Sequence, residues 1–520
     1  MKGKRKLNWV ALTWLILAIA SIIFYITASG FVAFPEKFKM PLLIALAAIV
    51  AIMGILSFMT KKAGTLKSVV NTVLAAALAA GSVYIPHLEK QMKEVFTEAP
   101  VTDEVAINVY AFTTEYKEAH PDIMKASSQV VTSENIADYS HCSFITQTAT
   151  EVEDQAFALA QLHNVLDVDS IWTIEKEDMW AALEAFYAGE GELLILNSAY
   201  IPSIKEVSGY ETFDSDTVPI YTVNKEITAQ EEMIPVVDKD ITNTPFTVFI
   251  GGSDSRSRML SQYGRTDVDI LVTVDPVNFQ VMLVSFPRDA YIPNPSLGNG
   301  LDKLTHLGNA GAYNTMKGLS NVLNVPVEHY AIVNFATFQI IVDAIGGIDL
   351  YNPYAFNAGH DAGYGYFPEG DIHLNGSEAL VYVRERQNLP NGDYGRNEHQ
   401  IIALKAILSK VTSPSILGSI NDILSALQGQ FLTSINPDDI YKLAGATLDS
   451  DNGWEIISYH MGGIGQYAQT ASMPGRELYV AELMQSQVDF ISEQINMMLN
   501  GEDISQQEMP DEDNTVYLPN

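Results

Sequence analysis

Cysteine is nearly absent from this chain of 520 residues: Cys142 is the only one. No intrachain disulfide can form, so each folded unit has to be held by its core. Basic residues are scarce as well, 30 Lys and Arg against 63 Asp and Glu, a formal net charge of −33. A surface of that sign excludes a general nucleic-acid binder, which meets phosphate with a basic face. Walker-type phosphate loops, zinc-protease motifs and nucleophile elbows are all missing. Gly463-Ile464-Gly465-Gln466-Tyr467-Ala468 formally fits a dinucleotide fingerprint. No helix or βαβ unit is expected after it, so it is read as a chance match. Charged residues make up 18% and hydrophobic ones 47%, which excludes a chain disordered throughout. The mean hydropathy of +0.08 is high for so acidic a protein and points to apolar residues gathered in one place.

They gather at the N-terminus, in apolar stretches at about 10–34, 42–59 and 69–85. A helix needs about 20 apolar residues to cross the hydrocarbon core, and all three stretches are read as spans. A cleaved signal peptide is the competing reading of the first, behind Lys2, Lys4, Arg5 and Lys6. Three consecutive spans without a small-residue cleavage site argue against it. With those four residues and Lys61, Lys62 and Lys67 in the cytoplasm, 4 + 3 = 7 basic residues lie inside, against Lys37 and Lys39 outside. Everything after about residue 90 is then expected outside the cytoplasm. A large exported region without disulfides favours a Gram-positive cell envelope.

Residues 101–240 read as a smaller mixed α/β unit, with a strand at 105–112, helices at 154–166 and 179–188, and a buried strand at 193–196. The unit has no arginine, and no chemistry is legible in it. A linker is expected at 230–244. Beyond Pro245, strands at 246–250, 269–274 and 281–286 alternate with helices at 308–323, 336–344, 377–382 and 397–411. That alternation predicts a sheet covered by helices on both faces. Helices are also expected at 420–427 and 478–499, and an acidic, disordered tail at 501–520.

From residue 101 onward there are eight arginines, seven of them between 256 and 396. An acidic protein that concentrates its planar, bidentate donors in one region is expected to use them on an anion such as phosphate. The bland alternative is a set of surface ion pairs. Four patches favour the anion. Asp254 and Arg256 (with Arg258 close by) sit in a Gly-Ser turn after a strand. Arg265-Thr266-Asp267 enters the next strand, and Arg288-Asp289 leaves the one after. Arg384-Glu385-Arg386 would aim both guanidinium groups the same way if extended, and is followed by Asp393, Arg396 and Gln400. Carboxylates beside arginines suit a divalent cation on a polyphosphate, since Mg²⁺ takes one or two carboxylates and shares phosphate oxygens with its substrate.

At these residues the chain resembles the LytR-CpsA-Psr family of cell-wall glycopolymer ligases. The resemblance is carried by Gly252-Ser253-Asp254-Ser255-Arg256, Arg265-Thr266-Asp267, Ser285-Phe286-Pro287-Arg288-Asp289, Asp302-Lys303-Leu304-Thr305-His306, Asp343-Ala344-Ile345-Gly346-Gly347-Ile348, Arg384-Glu385-Arg386 and Gly392-Asp393-Tyr394-Gly395-Arg396 with Gln400. Three spans plus an extra unit look like its capsular-polysaccharide, CpsA-type branch. The resemblance implies an α/β/α sandwich catalytic domain at 243–500. Before it come a cytoplasmic N-terminus (1–9), three transmembrane helices (10–88) and a smaller mixed α/β accessory domain (100–235).

The implied reaction moves a glycopolymer from an undecaprenyl-pyrophosphate carrier to peptidoglycan through a phosphodiester. Asp254 and Asp267 would hold Mg²⁺. Arg256, Arg265, Arg288, Lys303, Arg384, Arg386, Arg396 and Gln400 would grip the pyrophosphate, with Arg288, Asp289, Arg384 and Arg386 nearest the chemistry. The expected partners are the lipid-linked glycan, peptidoglycan and the cytoplasmic membrane, with capsule polymerase or kinase machinery as further candidates and no nucleic acid. A hydrolase acting on the same donor and a non-catalytic regulator of capsule synthesis are the alternatives.

Overall fold

The computed structural model describes residues 9–32, 34–59, 64–98, 102–122, 136–148, 152–205, 207–228, 239–253, 261–360, 362–390, 392–411, 413, 431–449 and 453–510. Three apolar helices open the chain: α1 (Trp9–Ser29), α2 (Glu36–Met59) and α3 (Gly64–Val95). Each is long and apolar enough to cross a membrane. Gly81 lets α3 close on α1, because a Cβ there would stand 2.6 Å from the Phe24 ring. Buried Asn71 reaches Thr13 and Ser57 at 3.4 Å each, a polar tie among the three helices. α3 runs further than the apolar stretch at 69–85, because the residues from Leu88 to Val95 are mostly good helix formers.

The first strand, Phe96–Glu98, follows α3 directly. It belongs to a seven-stranded sheet in the order Phe96–Glu98, Phe431–Thr433, His329–Asn334, Phe246–Ser253, Val268–Asp275, Gln280–Phe286, Glu455–His460. This sheet therefore recruits its edge from a point well before residue 243. One face packs Phe249, Leu271, Val284 and Tyr330 against helices Ala312–Leu323 and Gln485–Leu499. The other face packs Val248, Val272 and Leu283 against Ile401 and Leu404 of helix Asp393–Val411 and Leu443 of helix Pro437–Asp449. The result is the expected α/β/α sandwich. Helix Pro437–Asp449 also lies against α2 and α3, which seats the sandwich on the apolar bundle.

The smaller unit is a separate five-stranded mixed sheet, in the order Trp172–Lys176, Ser143–Gln147, Leu193–Asn197, Thr102–Phe112, Thr217–Thr228. Helix Val152–Leu166 closes one core with Phe144 and Ile195, and helix Met179–Tyr187 closes the other with Leu194 and Leu196. Cys142 is buried in the first of these cores, and burial pushes its thiol up to about 11, so it is inert at neutral pH.

Two expectations need correcting here. Residues 478–483 are strand rather than the start of a helix: Met473–Leu483 pairs antiparallel with Gly463–Thr470, and Leu478, Val480 and Leu483 are buried while Glu477 and Tyr479 are exposed. That two-residue alternation outweighs the helical spacing. The acidic tail is also packed in its first half. Ile504 is buried in the main core, its N–H and C=O both bond the Gln280 side chain, and Met509 packs nearby. A few apolar residues are enough to dock an acidic segment. Residues 511–520 and the helix expected at 420–427 lie outside the described residues.

Candidate functional site

Sheet register builds the centre of the site. Strands Val268–Asp275 and Gln280–Phe286 are antiparallel with Asp269 opposite Phe286. Two residues past the end of that ladder, the same register sets Asp267 opposite Arg288. Arg288 Nη1 donates to Asp267 Oδ1 at 2.8 Å. The Asp267 N–H is itself held by Gly252 O at 2.7 Å, so the carboxylate is fixed from behind by the neighbouring strand. Burial alone would raise the Asp267 carboxyl, but Arg288, Arg396 and Arg265 pull it below the usual range. Arg288 touches this carboxylate, while Arg396 and Arg265 add to the positive field around it.

Next along, Asp289 lies between two cations, with Lys303 Nζ at 2.9 Å and Arg288 Nε at 3.8 Å. Lys303 is placed by a short ribbon, Tyr291–Asn294 against Gly300–Lys303. Thr305 N–H then bonds Arg288 O at 2.9 Å, closing the loop back on the site. Asp289 is therefore held as an ion-pair partner that orients its neighbours.

Arg265 is almost fully buried. Its Nε donates to Thr305 Oγ1 at 3.4 Å and its Nη1 to Ser203 Oγ at 3.2 Å. The turn before it needs a bare backbone: a Cβ on Gly308 would stand 2.2 Å from Gly264 O. Gly264 N–H donates to Gly308 O at 2.8 Å, and this close approach brings Arg265 to Thr305.

The arginine pair straddles a helix end, so the condition of an extended segment is not met. Arg384 is the last residue of helix Gly376–Arg384, and its guanidinium lies 4.5 Å from the centre of the Phe335 ring. Arg386 follows the helix end and is exposed. Between them Glu385 is buried, and its carboxylate accepts N–H bonds from Gly359 at 2.6 Å, Arg386 at 3.0 Å and Asn388 at 2.9 Å. Burial raises this carboxyl, but the backbone donors outweigh it and hold it below its ordinary range. The capping box at Asn375 and Glu378 starts this helix, and the chain leaves it at Glu385.

Buried Arg396 and Gln400 share a face of helix Asp393–Val411, one turn apart. Gln400 Nε2 reaches Val383 O at 3.4 Å, and His399 Nδ1 donates to Tyr382 O at 3.1 Å, so this helix caps the carbonyl end of the arginine helix. His399 also stacks on Tyr382 at 4.0 Å, and burial pushes its imidazole down to about 4, leaving it neutral.

Asp254, Arg256 and Arg258 lie outside the described residues. Among the described residues no group of three His, Cys, Asp or Glu could hold a metal, and Asp267 is paired with Arg288. One buried carboxylate oxygen beside Asp267 is left open. Beside Asp267, Asp269 is fully buried and accepts from Thr266 Oγ1 at 2.5 Å, while its Oδ2 is buried without a hydrogen-bond partner. Burial, reinforced by the Asp267 charge, pushes the Asp269 carboxyl up to about 8. Sequence reasoning missed Ser203 and Phe335, and gave Thr305 and Glu385, each inside a quoted block, no role. Nothing local marks a serine 62 residues before its arginine.

The LytR_cpsA_psr family model matches residues 210–487. The chain is 38% identical over 202 residues to a protein of Enterococcus faecalis named polyisoprenyl-teichoic acid–peptidoglycan teichoic acid transferase TagU, covering 38% of this chain and 65% of that one. It is 33% identical over 254 residues to the protein of that name from Bacillus cereus, covering 49% and 79%. The matched region therefore spans just under two thirds of the Enterococcus relative. A crystal structure of TagV from B. subtilis aligns with 50% of this chain and 99% of its own, at 25% identity and a TM-score of 0.43.

Proposed function

Because the chain belongs to the LytR-CpsA-Psr family, we propose that it is a membrane-anchored phosphotransferase moving a glycopolymer from a polyprenyl-pyrophosphate carrier to peptidoglycan. One observation carries the reading: Arg288 is paired with Asp267 at the end of the central sheet, and Lys303 with Asp289 beside it, in a field to which Arg265 and Arg396 add. Such a cluster, backed by Lys303, matches the charge of a pyrophosphate. In the reaction an acceptor hydroxyl oxygen attacks the phosphorus bearing the sugar, and the bond from that phosphorus to the bridging oxygen breaks. The departing lipid monophosphate takes up the negative charge, and preorganised guanidinium groups stabilise it as it develops.

Arg288 and Lys303, locked around Asp289, need no reorganisation to do this. A divalent cation would be held by Asp267, with Asp254 as its sequence partner, and would supply further neutralisation of phosphate oxygens. The polymer is proposed to be a capsular polysaccharide, the carrier undecaprenyl, and the acceptor side the outer face of the cytoplasmic membrane. The family's CpsA-type branch and the extra unit support that choice.

The test is a reconstituted assay with polyprenyl-pyrophosphate glycan, peptidoglycan and Mg²⁺. Labelled polymer linked to peptidoglycan supports the proposal, and polymer released to water makes the protein a hydrolase. Binding of polyprenyl pyrophosphate measured with and without Mg²⁺ tests the cation. Asp267→Ala should remove the metal's enhancement of binding. Equal affinity in both conditions, with activity surviving a chelator, refutes a metal role.

A further inference from the structure

The smaller unit has two cores of its own, yet two of its contacts with the sandwich end on groups that hold the anion site. The first is direct. Ser203, in helix Ile201–Lys205, is almost fully buried, and its hydroxyl accepts from Arg265 Nη1 at 3.2 Å. Thr305, from the sandwich, accepts from Nε of the same guanidinium. Two acceptors on different edges of a planar fork fix its plane as well as its position.

The second contact runs through the hairpin Gly463–Thr470/Met473–Leu483. Its Met473 and Leu478 are buried in the core of the smaller unit, beside Trp180, Tyr210 and Phe213. Arg476 lies 4.9 Å from the Trp180 ring centre and 5.4 Å from that of Tyr210, and its Nη2 is 2.9 Å from Glu184 Oε1. The far end of the same strand meets the site. Ala481 N–H donates to Asp289 O at 2.8 Å, and Ala481 bridges to Ala290. The hairpin's turn is tied down too, with Ser472 donating from N and Oγ to Asp302, the residue before Lys303.

We propose that the unit at 102–228 is a positioning module for the anion site, with Ser203 setting the plane of Arg265 and the hairpin bracing the Arg288-Asp289 turn. This rests on the anion-site reading above. A purely structural interface would be satisfied by the apolar contacts of Met473 and Leu478. A buried hydroxyl spent on one terminal nitrogen of a site arginine adds orientation that the apolar contacts cannot supply. Ser203 and Arg476 are positioning residues under this proposal, since neither needs to touch the substrate.

The experiment uses the full-length protein in detergent and reads binding of a polyprenyl pyrophosphate by calorimetry, with melting temperatures alongside. Ser203→Ala is expected to weaken binding about tenfold or more, the scale of one hydrogen bond to a charged group. In an Arg265→Met background the same change should cost nothing, because there is no guanidinium left to orient. An equal loss in both backgrounds makes Ser203 merely structural and overturns the proposal. If Arg265→Met weakens binding but Ser203→Ala does not, the proposal fails while the anion site stands. If Arg265→Met has no effect, the anion-site reading itself falls. Arg476→Ala, at a part-exposed residue, is the independent arm: several-fold weaker binding is expected, and unchanged binding refutes bracing through the hairpin.

Discussion

Consider Glu385→Gln. The substitution keeps size and shape but removes the charge from a carboxylate that accepts three backbone N–H groups. Arg386 and Asn388 both donate to Oε1, so a glutamine carbonyl can still serve them, more weakly. Gly359 donates to Oε2 at 2.6 Å, and there the amide NH₂ would face an N–H, donor against donor. Hydrogen bonds to a charged acceptor are worth about 1.5–3 kcal/mol each, and neutral ones about 1. Losing one and weakening two comes to about 3 kcal/mol, or about 6–12 °C in melting temperature for a domain of this size.

The change falls between Arg384 and Arg386, so transfer should drop about tenfold or more. The acid dependence supplies a second signature. Because the folded carboxyl is held below its ordinary value, its contribution is present above about pH 4.5 and is lost as pH falls through the folded value. The two proteins should therefore converge in stability as acid is added. Thermal unfolding across pH, paired with the transfer assay, measures both effects. A change under about 0.5 kcal/mol at pH 7, the scale of a neutral surface substitution, with activity intact, would refute the role assigned to this carboxylate.

Three further outcomes are expected. Arg288→Ala, Arg384→Ala and Arg386→Ala should each cut transfer while the fold survives, and lysine should restore only part of it, because a point charge cannot reproduce the fork; full activity of Arg384→Lys/Arg386→Lys would sink the bidentate argument. His399, neutral in its buried stack, has a folded value near 4 against about 6.5 unfolded, so its contribution is complete above pH 6.5 and lost toward pH 4, at about 1.4 kcal/mol per pH unit; thermal unfolding should show that slope flattened in His399→Phe. A fragment beginning at residue 100 lacks the strand Phe96–Glu98 and should melt lower than one beginning at residue 94; equal melting temperatures would mean that this edge strand adds no stability.

Much of the sandwich was legible because its central strands are short, mostly apolar runs bounded by turns: Val268–Asp275 and Gln280–Phe286 are almost wholly buried. The Asp267 and Arg288 patches were legible as chemistry but not as a pair, since only strand register places them opposite each other. The backbone at Arg384 and Arg386 was left open, because an i,i+2 pattern of charge says nothing about backbone angles at a helix terminus. Leu478–Leu483 was misread because apolar residues at those positions fit either period until a partner strand is known. Ser203 was invisible for a different reason: its function is a long-range contact, and a lone serine carries no local signal.

The direct passage from α3 into the edge of the central sheet has a mechanical meaning. At about 1.5 Å per residue, the 32 residues of α3 extend about 48 Å, against a hydrocarbon core of about 30 Å. If α3 spans a bilayer, the excess lifts the sheet clear of the apolar slab, with Pro86 inside the helix as a point where it can bend. Height above the bilayer is then a property of folding rather than of diffusion. Copies drifting in one membrane would all carry their arginines at the same altitude, like tools set in a jig.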